Sequence, residues 1–449
     1  MHITIPAAAA RLLARLNDHG YEAYVVGGCV RDALMGRTPH DWDICTDALP
    51  QQVKEVFAGH PIHDTGIRHG TVLVMEQGEG YEITTFRVDG DYSDHRHPDR
   101  VSFVRSLRED LARRDFTVNA MAYHPSAGLI DLFGGEADLA AGVIRCVGEP
   151  SERFAEDGLR ILRALRFAAR FCFQVEERTG QAMHAQRALL DYIAAERIFS
   201  ELKGFLSGGG VCALLLEYRD VFAQFLPEIC GMFDFCQYNP HHCYDVWTHT
   251  AHAVECAPPE TVLRLTMLFH DIGKPSCFTR DERGIGHFLG HPEVSAQLAN
   301  DILRRLRSDN RLREAVVRQV RSHDWPLPET ERAGRRFLAR LGEEGARWSL
   351  AVHRADILAQ HPATQPAKLE RLARAEALLD DLLAQQACFQ LKDLAVNGRD
   401  LIDLGLAPGP SVGQELKRLF ALVIEGECPN ERGALLARVQ RPKEHAETT

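Results

Sequence analysis

The sequence predicts an α+β chain, with a mixed head of short strands and helices up to residue 148 and an all-α remainder. Two patterns and the length carry this. Up to Gly148, short apolar runs alternate with turn residues, as in VVGG, GTVLVME, YEITTFR, TVNAMAY and GLIDLFG. From Pro150 onward helical periodicity continues almost without interruption and β-branched clusters are few. A length of 449 residues exceeds one ordinary hydrophobic core, so several domains are expected. Their expected bounds are a head at 1–148, a helical neck at 149–208, a helical connector at 209–237, a histidine-rich helical region at 238–360 and a helical tail at 361–449. Gly208-Gly209-Gly210 breaks helix and marks one boundary, as a hinge or simply a loop. In the tail, Pro408-Gly409-Pro410 stops one segment and Ser411 can cap the next helix.

Within the head, Tyr24, Val25 and Val26 read as a buried strand, followed by a tight turn at Gly27-Gly28 where the backbone can approach a ligand. A helix is expected to start near Cys29. Its unpaired amides and positive dipole end favour an anion such as a triphosphate, with Arg31 adding charge. Asp41 and Asp43 are separated by one residue, so on an extended strand both carboxylates face one way and Trp42 the other. Such a pair suits Mg2+, a hard cation that takes oxygen ligands and keeps sites for substrate phosphates. Glu82, on YEITTFR, is a candidate third acidic group whose facing cannot be read from sequence.

The stretch TTFRVDGDYSDHRHPDRVSF reads as a polar surface loop. LARRDFTVNAMAY then places Arg113, Arg114, Asp115 and Asn119 ahead of a hairpin closed by Pro125-Ser126-Ala127-Gly128. In SERFAEDGLRILRALRFAARF, at about 100° per residue, Arg160, Arg163, Arg166 and Arg170 gather on one side and the apolar residues on the other. Helical spacing brings Asp157 beside Arg160, and an acceptor held next to a forked donor matches the hydrogen-bonding edge of a nucleobase. The histidine-rich region contains DVWTHTAHAVE, LTMLFHDIGKPS and RADILAQ, whose histidines and aspartates on apolar helices suit a divalent transition metal.

Composition bounds the setting. Hydrophobic residues make up 45% and charged residues 26%, and no apolar run is long enough to cross a bilayer. The N-terminus lacks a basic leader, and twelve scattered cysteines without a CxxC pair read as reduced core residues of a cytoplasmic protein. A formal net charge of -11 disfavours a broadly nucleic-acid-binding surface but leaves room for local arginine clusters.

Strand, GGxxRD, then DxD resembles the head of the DNA polymerase β-like nucleotidyltransferases, specifically the group of tRNA CCA-adding enzymes and bacterial poly(A) polymerases. The resemblance implies that Asp41 and Asp43 hold two Mg2+ ions and that Gly28 and Arg31 hold the triphosphate. RRDFTxNA is a recurring motif there, which assigns a nucleotide contact to Arg114. EDxxR resembles that family's amino-acid template, so Asp157 and Arg160 select CTP or ATP while Arg163 and Arg166 assist with phosphate. The polar stretch is similar to the flexible loop that helps the site switch from CTP to ATP, with Arg87 and Asp89 as its lever residues. His270-Asp271 with IGK resembles the HD phosphohydrolases, whose H…HD…D pattern maps onto His249, His270, Asp271 and Asp356, with His291 and His323 as additions. The implied partners are tRNA, CTP and ATP, without a membrane. Rival expectations are a poly(A) polymerase, an A-only enzyme, or a metal-dependent HD phosphohydrolase with a nucleotide-binding head.

Overall fold

A computed structural model describes residues 3–67, 70–90, 101–238, 243–385 and 388–440. The chain divides into two compact units, Met1–Cys230 with Arg304–Ser308, and Gly231–Leu303 with Asp309–Thr449.

The first unit opens with α1 (Ala7–Asp18), β1 (Ala23–Val26), α2 (Gly28–Leu34), β2 (Ile44–Thr46), α3 (Pro50–Val56), β3 (Ile62–Gly66), β4 (Thr71–Glu76) and β5 (Glu79–Thr85). A ribbon of β6 (Arg87–Asp89) and β7 (Val101–Phe103) follows, then α4 (Leu107–Ala112), the hairpin β8 (Met121–His124) and β9 (Gly128–Asp131), and α5 (Gly135–Ala141). Seven strands form one sheet in the order β3-β4-β5-β2-β1-β8-β9, in which only β2 and β5 run parallel. Alternation along the strands distributes their side chains between two cores. Val25, Ile44, Ile83 and Tyr123 meet Leu12, Leu13 and Leu16 of α1, whereas Val26, Cys45 and Ala122 meet Phe86 and Leu111. The mixed head and the hairpin at 125–128 are as the sequence predicts.

Six helices complete this unit: α6 (Pro150–Glu156), α7 (Leu159–Phe171), α8 (Glu177–Gln186), α9 (Ala195–Leu206), α10 (Val211–Glu217) and α11 (Arg219–Phe225). Helix α7 buries Ile161, Leu162, Leu165 and Ala168 and packs on α9. The glycine run after α9 is a close contact within the unit, not a hinge. Gly209 N–H donates to the Ala169 carbonyl at 2.9 Å, and a Cβ on Gly208 would lie 2.5 Å from the Ala169 carbonyl carbon.

In the second unit, α12 (Val246–Cys256), α13 (Thr261–Phe269), α14 (His291–Arg305), α15 (Asn310–Ser322) and α16 (Glu331–Leu358) build the histidine-rich region, and α16 is interrupted at Gly342, which has φ +72°. Further on come α17 (Gln365–Ala384), α18 (Gly398–Asp403), α19 (Pro410–Ile424) and α20 (Arg432–Leu436). Two expectations need correction. Gly409 occupies the N-cap of α19 with Pro410 at its first position, so Ser411 is already inside the helix and its hydroxyl donates to the Ala407 carbonyl. All twelve cysteines are free, but only five are buried; Cys172 is exposed because it closes α7 in the left-handed conformation at φ 57°. Among the described residues no helix is long and apolar enough to cross a membrane.

Replacing Gly208 by Ala should force the α9 end away from the α7 backbone. The first unit is expected to lose about 2 kcal/mol, the usual scale for overpacking, read as a lower urea midpoint; an unchanged midpoint would show that the contact is dispensable.

Candidate active site and histidine cluster

Strand β1 ends at a turn whose shape only glycine allows. Gly27 has φ +80°, and a Cβ there would sit 2.8 Å from the Arg114 guanidinium, which lies across the turn. Its N–H donates to the Met121 carbonyl of β8 at 3.0 Å, and α2 starts at Gly28, one residue before the expected Cys29. Arg31 lies beside the turn, its guanidinium 3.6 Å from where a Cβ on Gly28 would stand. It is buried, donates to Asp32 and Asn119, and stacks on Phe171 and Phe167 with its guanidinium carbon 4.8 and 5.3 Å from the ring centres.

The aspartate pair precedes β2 instead of lying in it, yet the extended spacing holds. The Asp43 carbonyl accepts from Val26 N–H at 3.0 Å, and Trp42 turns the other way into the α1 core. Ile44 pairs with Ile83 across parallel strands, so Glu82, one residue earlier, faces the same side as Asp43. That settles a facing the sequence left open. Burial, then the charge of Glu82 and to a smaller degree Asp41, push the Asp43 carboxyl up to about 6, with Arg114 opposing them. Three acidic groups and one guanidinium thus meet beside Gly27. Arg114 also contacts Asp110 of α4 at 3.3 Å, and its Nε is buried with no hydrogen-bond partner among the described residues.

The neck differs most from expectation. Asp157 has extended backbone angles and ends α6, so the helix through EDGLR is interrupted, yet Arg160 N–H still donates to the Asp157 carbonyl at 2.9 Å, which keeps the two residues within one turn. Asp157 accepts from Leu159 N–H at 3.0 Å and from Arg197 of α9 at 2.9 Å, while Arg160 donates to Glu156 and to the carbonyls of Arg153 and Arg113. Nor is the arginine face open. Arg163 binds Asp115 at 2.6 Å and Arg166 binds Glu201 at 2.5 Å, their guanidinium carbons 5.4 and 4.3 Å from the Phe167 ring centre. Arg197 and Glu201, absent from the sequence reading, are four residues apart on α9; their opposite charges at helical spacing were the available signal. Arg87 and Asp89 lie on β6, paired with Phe103 and Val101 of β7, and residues 91–100 of the expected loop lie outside the described residues.

In the second unit the predicted histidines and aspartates converge. His249 Nε2 lies 3.4 Å from His270 Nε2, 3.6 Å from Asp271 Oδ2 and 3.0 Å from Asp356 Oδ1. His249 and His270 are wholly buried, Asp271 nearly so, and Asp356 is half-buried. The Asp271 carboxylate also receives Lys274 at 2.7 Å. His291 and His323 join from α14 and the end of α15, their Nε2 atoms 3.1 Å apart. Burial pushes His270 down, but Asp271 and Asp356 outweigh it and hold it at about 9, whereas burial and the neighbouring His270 push His323 down to about 3. Ligand atoms so gathered, each imidazole turned by a bond from its far nitrogen, could hold a metal ion.

Comparison with known proteins places these features. A family model described as "Poly A polymerase head domain" matches residues 23–145, "Probable RNA and SrmB- binding site of polymerase A" matches 172–232, and "tRNA nucleotidyltransferase domain 2 putative" matches 278–439. The CCA-adding enzyme of Limosilactobacillus reuteri is 36% identical over 440 residues, covering 96% of both chains. The crystal structure of the Bacillus stearothermophilus CCA-adding enzyme in complex with CTP aligns with a TM-score of 0.72 at 30% identity, covering 97% of each chain. The Thermotoga maritima CCA-adding enzyme complexed with tRNA aligns at 0.57 and 22%, covering 95% of this chain and 93% of that one, a likeness of fold.

The acidic corner carries a stability consequence. The Asp43 carboxyl titrates at about 6 in the fold against an ordinary 3.8, so the fold prefers it protonated and loses stability as pH rises through that window. In metal-free protein, Asp43→Asn should therefore raise stability at pH 8 by about 1–2 kcal/mol, allowing for partial exposure, with the gain gone at pH 4. Thermal unfolding in chelator at both pH values measures it; a loss at pH 8 would contradict the repulsion.

Proposed function

We propose, from the premise that the chain belongs to the family of CCA-adding enzymes, that it completes tRNA 3′ ends by adding C, C and A from CTP and ATP without a nucleic-acid template. The observation that carries this reading is the acidic corner of Asp41, Asp43 and Glu82 beside the Gly27 turn, with Arg114 across it. Carboxylates crowded until one resists ionisation fit a hard divalent cation, and Asp41 and Asp43 would hold two Mg2+. Bound there, such ions would lower the charge on the triphosphate and favour ionisation of the RNA 3′-hydroxyl. The new bond joins the 3′-oxygen to the α-phosphorus, the α–β bridging bond breaks, and pyrophosphate leaves. The Gly27-Gly28 backbone would receive the triphosphate and Arg114 would add positive charge from the β8 side, with Arg31 beside the turn.

Asp157 and Arg160 would read the base. Arg160 then has to exchange Glu156 and two backbone carbonyls for the nucleotide, and Asp157 has to share its carboxylate with Arg197. Arg163 and Arg166, tied to Asp115 and Glu201, would act on phosphate mainly by charge. The head at 1–148 would carry catalysis, the neck at 149–208 base choice, and the tail at 361–449 tRNA contact through backbone and shape. The paired β6 and β7 would anchor the loop that adapts the site to ATP. On a separate observation, the buried cluster of His249, His270, Asp271 and Asp356, we propose a metal-dependent phosphohydrolase site of the HD type at 238–360.

Purified protein given tRNA ending before CCA should add two residues with CTP alone, none or little with ATP alone, and three with both. Indefinite A tails would identify a poly(A) polymerase, and addition of A only to a CC end an A-only enzyme. Asp41→Ala and Asp43→Ala should each lower addition by roughly a thousand-fold or more, as loss of the metal clamp implies. His270→Ala should remove metal-dependent hydrolysis of a phosphomonoester while CCA addition persists; loss of both activities would assign the cluster a purely structural role.

A further inference from the structure

We propose that Arg37 and Arg170, gathered on the ring of Phe171, bind one backbone phosphate of the RNA strand whose 3′ end is extended; this rests on the nucleotidyltransferase reading above. The arginine stripe of α7 supplies the first observation. Three of its four members are neutralised by carboxylates, Arg160 by Glu156, Arg163 by Asp115 and Arg166 by Glu201. Arg170, at the exposed end of the stripe, has neither a carboxylate nor a hydrogen bond on its guanidinium among the described residues. The same holds for Arg37, exposed in the segment that joins α2 to Asp41. Distant in sequence, the two meet on one buried ring.

Their guanidinium carbons lie 5.2 and 5.5 Å from the centre of Phe171, and Arg31 is a third cation there at 4.8 Å. Asp32 does not balance them, because its carboxylate is taken by Arg31 at 2.7 Å. Positive charge is therefore in excess. Burial lowers the Arg31 pKa, Asp32 opposes that shift and the Arg170 charge lowers it further, as like charges held close together do. An anion placed between the exposed pair converts this repulsion into attraction.

The ring decides what the two arginines can do. A phenyl face attracts a guanidinium and orients it, but takes none of its N–H donors and none of its charge. A carboxylate partner would take both. Arg37 and Arg170 thus keep their planar forks for a ligand, and a fork of this shape matches two phosphate oxygens. The setting selects the RNA strand over the incoming nucleotide. In the proposed reaction the triphosphate has the Gly27-Gly28 backbone, Arg114 and the metal ions, whereas two exposed side chains without a backbone cradle suit a singly charged phosphodiester at the surface. Arg170 stands about three turns along α7 from Arg160, so a strand held there passes the base-reading pair. In a chain with a net charge of -11, such a local excess is where an RNA backbone is steered.

The test measures binding of tRNA that ends before CCA, without nucleotide and across a salt series, and then the kinetics of C addition. Arg37→Gln combined with Arg170→Gln should weaken tRNA binding roughly ten-fold at low salt. It should also flatten the dependence of log Kd on log salt by about 0.7, the share of one single-strand phosphate. The KM for CTP and kcat at saturating tRNA should keep the parent's values, and the melt should stay cooperative because both side chains are exposed. Arg37→Lys combined with Arg170→Lys retains the charges and should recover most of the affinity and the salt slope. A raised KM for CTP with unchanged tRNA binding would assign the arginines to the triphosphate and overturn the RNA site. Lysine variants as weak as the glutamine ones would show a structural role and overturn it too. A parent that binds and extends tRNA while the glutamine variant matches it in affinity and slope overturns this site alone; a parent that binds no tRNA overturns the nucleotidyltransferase reading with it.

Discussion

The buried carboxylate of Asp115 ties the nucleotide turn and the neck helix into one block. Arg163 of α7 donates to it, Asn119 donates to it at 3.0 Å, and Asn119 in turn accepts from Arg31, whose guanidinium lies on Phe167 and Phe171 of α7. Despite burial, which opposes ionisation, Arg163 and Asn119 hold Asp115 at about 2. A buried pair of this kind is weak as net stabilisation, but losing one member leaves an uncompensated charge, so its geometry is strongly enforced. Through it, the turn at Gly27 and the helix bearing Arg160 and Arg163 are positioned by a single set of hydrogen bonds.

The two candidate metal sites share a physical form and differ in how they reach it. At Asp43 the folded chain buries a carboxyl and gathers Glu82 and Asp41 around it, and burial first, then the like charges, make it resist ionisation. In the histidine cluster, backbone carbonyls hold each ring by its Nδ1 and turn its Nε2 toward the buried carboxylates, which hold His270 at about 9. Sites of this kind hold their ligands ready before the ion arrives, because the surrounding sheet or helices supply the energy that keeps them together.

The neck is where sequence reasoning met its limit, and the reason is local. The spacing of Asp157 and Arg160 reads as one unbroken helix, but Asp157 is extended and Gly158 is pressed against Leu189, where a Cβ would lie 2.9 Å from the Leu189 side chain, so only the turn between them is kept. The chain turns there to let α7 start anew. Likewise the arginine stripe was visible from spacing, while its partners Asp115 and Glu201 come from segments 48 and 35 residues away and could only be found by packing.

Local order in the chain was enough to mark the mixed head, the glycine turn and the alternation of Asp41, Trp42 and Asp43, since each depends on neighbours a few residues apart. It also carried the family resemblance that the whole-length relatives bear out. Tertiary structure decided the rest. Strand register brought Glu82 to Asp43, packing buried Arg31 against Phe167 and Phe171, and helix packing set His291 and His323 beside the second oxygen of Asp271. These are contacts between distant segments, and their partners are chosen by which faces pack together, a choice that periodicity along one segment does not contain.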